Sequence, residues 1–171
     1  NYLIKREDTN LIKNFLIKNE TINNNRIVKF YLDYYLQNAN LDESCKLMSQ
    51  LKFQITNDYI DKFKIYCLIK LKKNEEAQIY YDLKKEQGFR DKFFESKFNY
   101  LMGYSDKSTT EISEKSVLNF HLSHVTTKNF NYTANEKTPK FIWRYLSSNN
   151  LLENIKEIDL ENAKKIMTLE K

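Results

Sequence analysis

Slid against itself by 32 residues, the chain meets a near copy of its own pattern. "FYLDYYLQNANLDESCKLMSQL" from Phe30 falls on "KFKIYCLIKLKKNEEAQIYYDL" from Lys62. Tyr31 meets Phe63, Tyr34 meets Tyr66, Leu36 meets Leu68, Cys45 meets Ala77 and Leu51 meets Leu83. Each copy is an apolar run at helical spacing, a polar break (Asn40 to Glu43; Lys72 to Glu75), and a second run opening on small or mixed residues. Two helices joined by a tight turn fit that pattern, and a small residue such as Ala77 lets the second lie close against the first. A third copy is expected to begin near Phe94, with the pattern dissolving after Tyr104.

The rest of the chain agrees with helices. Only two glycines (Gly88, Gly103) and one proline (Pro139) occur in 171 residues, and these are the residues that break helices and build tight loops. Stripes at Leu11–Ile12–Phe15–Leu16, Phe94–Phe98–Leu101 and Val117–Leu118–His121–Val125 read as further helices. Asp8 or Thr9 is the candidate cap of the first, Asn23 to Asn25 a turn, and Ser113 the candidate cap of the helix holding His121. Residues 104–112 and 126–137 read as loops. Thr138 then Pro139 reads as cap and first helical residue, with Phe141, Ile142, Tyr145 and Leu146 on the following stripe. A last helix is expected after Asp159. The expected fold is all-α: one domain over residues 1–171, of regular stacked antiparallel hairpins to residue 103 and less regular helices beyond. The start at Asn1 and the end at Lys171 are taken as the bounds of an excerpt.

"LKKNEEAQIYYDL" resembles the turn and second helix of a tetratricopeptide repeat, with Ala77 at the small packing position. Over residues 27–103 the resemblance implies an α-solenoid, a scaffold for protein–protein interaction that binds a protein or peptide and has no catalytic centre. Ile65, at a position usually small, and the spacing of 32 depart from the family's pattern. The longer stretch "IYCLIKLKKNEEAQIYYDLKKEQGFRDKFFESKFNYLMG", with "SVLNFHLS" after a loop, is similar to a bacterial family of large exported helical proteins without assigned activity. That similarity implies the cell envelope or periplasm, and a helical spacer or accessory domain of a larger exported protein; without it the cytoplasm is expected.

A solenoid offers its groove between successive first helices. On the helix from Asp58 to Leu71, Lys62, Tyr66 and Ile69 or Lys70 share a face, and these four are the expected partner-binding residues. The runner-up is weak nucleic-acid binding, from aromatics interleaved with lysine in "YIDKFKIYCLIK". With 28 basic against 23 acidic residues the net charge is only +5, and the signs alternate along the chain, so nucleic acid is the less favoured partner.

Other chemistry finds thin support. His121 and His124 form H-x-x-H on a helix, two imidazoles on one side, without a carboxylate at a matching position for a metal site. His121 fits a hydrogen-bonded core histidine better. Ser123 beside His124 is adjacency, not a dyad, and two glycines build no phosphate cradle. Glu75 and Glu76 complement a helix start. Neither a cofactor nor a metal is expected, and no apolar stretch reaches the roughly 20 residues of a membrane span. Cys45 and Cys67 fit two buried thiols, and a disulfide requires their Cα atoms within about 7 Å, which spacing alone does not fix. Trp143 reads as an interhelical filler.

Overall fold

The computed structural model describes residues 2–18, 24–51, 57–106 and 110–152. Among these every regular element is a helix: α1 (Tyr2–Arg6), α2 (Thr9–Lys18), α3 (Asn25–Gln37), α4 (Leu41–Gln50), α5 (Asp58–Lys70), α6 (Asn74–Glu86), α7 (Lys92–Leu101), α8 (Val117–Thr126) and α9 (Lys140–Ser148). The helix expected after Asp159 lies outside the described residues.

Polar side chains set most of the starts. Asp8 accepts from the Leu11 amide at 2.9 Å, which makes it, rather than Thr9, the cap of α2. Asn24, Asn57 and Asp91 cap α3, α5 and α7 in the same way, each satisfying amide donors that the helix cannot. Two expected starts shift. Ser116, not Ser113, caps α8, because Ser113 is buried and uses its amide and hydroxyl on Ser123 and Asn119 of that helix. Pro139 occupies the cap position of α9 instead of its first turn, while the Thr138 hydroxyl accepts from the Asn135 amide and closes the preceding turn.

The two matched segments form two helix–turn–helix units with one turn geometry. The Asn40 amide donates to the Tyr35 carbonyl, and the Lys73 amide to the Leu68 carbonyl, each at 2.9 Å. Ala39 and Lys72 sit at φ 55° and 60°, the left-handed residue that closes such a helix end. Turn for turn the units are therefore 33 residues apart, one more than the best overlay of side-chain types. In this register Ser44, fully buried, takes the place of Ala77, also fully buried.

Cys45 and Cys67 are joined in a disulfide with Cα atoms 5.3 Å apart, pinning α4 of the first unit to α5 of the second. The sequence favoured two thiols; spatial proximity across a 22-residue separation decides for the bond. α5 is central, packing on α3, α4, α6 and α7. Seven of its residues are buried, Asp61 and Lys62 among them. Asp61 accepts from the Tyr80 hydroxyl at 2.7 Å and pairs with Lys84 at 3.1 Å, both from α6, so its charge is compensated where it is buried. α8 and α9 then return to pack on α3, a contact between elements far apart in the chain that a linear stack does not need.

Candidate functional site

The face shared by α3, α5 and α7 is where the sequence placed a partner, and in the structure α8 lies on it. α8 packs against α3 and α7, and three side chains of α5 reach it directly. Tyr59 comes first: its hydroxyl donates to Asp33 of α3 and accepts from the Leu118 amide of α8 at 3.3 Å. That amide belongs to the first turn, which has no intrahelical acceptor for it. Lys29 lies 4.0 Å above the Tyr59 ring and pairs with Asp33.

One turn along, Lys62 donates to Asp91 at 2.8 Å and to the Asn119 side-chain oxygen at 3.4 Å. Burial raises the Asp91 carboxyl while the Lys62 hydrogen bond and the Phe94 amide lower it, and the net displacement is below the ordinary carboxylate range. Asn119 passes the network to Ser113, and Ser123 closes it by accepting from the Ser113 amide at 3.0 Å. Beside this end an open cleft of about 630 Å³ runs between Arg90, Asp91, Glu111 and Lys115.

The next turn of α5 carries Tyr66. Its hydroxyl lies 2.7 Å from Nε2 of His121; Nδ1 of His121 lies 2.8 Å from the Tyr145 hydroxyl of α9; and Nδ1 of His124 lies 2.8 Å from that same oxygen. Four groups from three helices make one chain. Tyr66 and Tyr145 are almost wholly buried, His121 is buried and His124 half-buried. Loss of solvation, followed by the neighbouring charges of His124 and Lys70, pushes the His121 imidazole down to about 3, and burial lowers His124 too. Burial raises both phenols. All four groups are neutral at pH 7.

The four residues expected to bind a partner are thus separated. Lys62 and Tyr66 point inward and are engaged by α8, Ile69 is half-buried, and Lys70 is exposed. The face that Lys62 and Tyr66 share is covered by the chain's own helix. Asn119, Tyr59 and Tyr145 were missed, since nothing local distinguishes an asparagine 57 residues from its lysine partner. The H-x-x-H pair does converge, on a phenol rather than on a metal with a carboxylate, and among the described residues no group of three or more His, Cys, Asp or Glu side chains could hold a metal ion. Ser123 donates to the Asn119 carbonyl instead of facing His124. Two of the three lysines of the aromatic-basic stretch have internal partners, Lys62 as above and Lys64 over the Tyr80 ring at 4.2 Å, while Lys70 is exposed. Among the described residues no helix is long and apolar enough to cross a membrane. Compared with protein-family models, curated proteins and solved structures, the chain matches none.

Proposed function

We propose that the chain is a non-catalytic scaffold of tetratricopeptide-like helical hairpins, and that its α3–α5–α7 face binds an α-helical segment of a protein partner. The observation that carries this reading is the seating of α8. A helix lies on that face with Leu118 and Leu122 fully buried and is fixed by two side-chain contacts from α5, Lys62 to Asn119 and Tyr66 to His121. A face that holds one helix in this way has the shape and the donors to hold another. α8 competes from within the same chain at an effective concentration on the order of millimolar, so a partner helix must offer a comparable apolar stripe and an acceptor for Lys62. The buried Cys45–Cys67 disulfide supports placing the chain in an oxidising compartment, the cell envelope or periplasm.

A synthetic peptide of residues 116–149 tests this against the full chain and against Leu118→Asp, which puts a charge where Leu118 is fully buried and loosens the internal α8. The peptide is expected to bind the Leu118→Asp chain at least tenfold more tightly than the native chain, and to lose that binding when its own Asn119 and His121 are changed to Leu. A Leu118→Asp chain that stays helical by circular dichroism yet takes up no peptide refutes the reading.

A further inference from the structure

The chain Tyr66–His121–Tyr145–His124 has one arrangement of hydrogens that satisfies every group in it. Tyr66 O–H donates to Nε2 of His121, Nδ1–H of His121 donates to the Tyr145 oxygen, and Tyr145 O–H donates to Nδ1 of His124. The remaining hydrogen, on Nε2 of His124, belongs to the one half-buried member. Run the other way, the same contacts leave the Tyr66 hydrogen without an acceptor, since among the described residues that hydroxyl meets only His121. Both imidazoles donating to Tyr145 would leave the Tyr145 hydrogen in the same position. A buried hydroxyl without an acceptor is a costly group, so the polarity is set from the Tyr66 end.

A proton arriving from solvent reaches His124 first. It binds Nδ1, the one ring nitrogen without a hydrogen and the acceptor of the Tyr145 bond, and converts an acceptor into a donor. Tyr145 then has two choices. Either its hydrogen turns away with no acceptor, or His121 moves its hydrogen from Nδ1 to Nε2 and the Tyr66 hydrogen is stranded instead. Each choice leaves one buried hydroxyl hydrogen without an acceptor and so weakens the contacts that tie α8 to α5 and α9. We propose that this four-group chain is an acid-sensitive latch, and that protonating His124 releases α8 and α9 from the α3–α5–α7 face. The other ionisable groups around it do not offset that cost. Lys70 of α5 faces His121 and carries a like charge. Asp33 of α3 and Asp91 before α7 reach α8 only at its first turns, through Tyr59 and Lys62, at the end of the helix away from His124. That the uncovered face then admits a partner helix rests on the function proposed above; the release itself is measured with no partner present.

Amide hydrogen exchange of the full chain at pH 7.5 and pH 5, corrected for intrinsic rates, reads the release. Exchange in residues 117–126 and 140–148 is expected to quicken at least tenfold at the lower pH while residues 58–70 and 74–86 keep their protection. His124→Asn keeps an acceptor near the position of Nδ1 and cannot titrate, so its acid response is expected to fall below twofold. Protection that ignores pH, that is lost in all four helices together, or that responds equally in His124→Asn overturns the latch. The native chain alone supplies a second reading that needs no variant. Imidazole nitrogen shifts at pH 7.5 are expected to place hydrogen on Nδ1 of His121 and on Nε2 of His124, and the opposite tautomers overturn the proposal.

Discussion

Removing the Cys45–Cys67 bond measures how far the two hairpins depend on a covalent tie. The bond joins residues 22 apart, and closing a loop of that size removes about 11 cal/mol/K of entropy from the unfolded chain, or about 3 kcal/mol at 25 °C. The folded side of the balance changes little. Both residues are almost fully buried, at 6% and 3% exposure, and Cys45→Ala with Cys67→Ala deletes only two sulfur atoms from α4 and α5. For a chain of 171 residues each kcal/mol is worth about 2–4 °C in Tm, so the double variant is expected to melt about 6–12 °C below the oxidised protein. Calorimetry gives the shift, with reduced native chain as the matched control.

Burial adds a kinetic side to the same experiment. A thiolate reductant has to reach sulfur atoms that solvent scarcely touches, so reduction waits on a local opening between α4 and α5. Reduction in native buffer is expected to be slow and to become fast in denaturant. Titration of the unfolded, unreduced chain is expected to find no free thiol, and two after reductant. Two thiols before reductant, or an unchanged Tm once both are shown to be free, refutes the reasoning.

Stability is expected to fall with acid below about pH 6.5. His121 is held near 3 in the folded chain, below its unfolded value, so the unfolded chain binds the extra proton in between. That stabilisation is whole above the unfolded pKa and shrinks as pH falls toward the folded one, by about 1.4 kcal/mol per pH unit and about 2 kcal/mol by pH 5; urea melts at pH 7 and 5 check it. Lys62→Met leaves the Asp91 carboxylate and the Asn119 oxygen without their shared donor and is expected to cost about 1–3 kcal/mol. Combined with Asp91→Asn it is expected to cost less than the sum of the two, since they share one contact. Tyr59→Phe strands both the Leu118 amide and one oxygen of Asp33 and is expected to cost about 1–2 kcal/mol, read from denaturant midpoints.

The hairpins could be read from the sequence because their signals are local. A polar break, a capping asparagine and a small residue lie within a few positions of one another, and the capping bonds span two or three residues. The register slipped by one for a reason that is also local. Matching by side-chain type pairs Tyr34 with Tyr66, whereas the turn hydrogen bonds pair Tyr34 with Cys67, and the backbone decides the geometry. The unnoticed α1 has five residues and buries none of them, which leaves no apolar stripe to find.

The partner face failed differently. Lysine and tyrosine on a helix read as surface groups because a free lysine is costly to bury. Lys62 is buried only because Asp91 and Asn119 arrive from 29 and 57 residues away, and Tyr66 because His121 arrives from 55. Such partners leave no periodic trace in the chain. An apolar seam would have bound α8 without fixing its register, since burial alone tolerates sliding by a turn. Three polar contacts at successive turns of α5, through Tyr59, Lys62 and Tyr66, favour the one placement of α8 that makes them all. The placement of α8 is therefore set by donors and acceptors at a fixed spacing as well as by the apolar side chains around them.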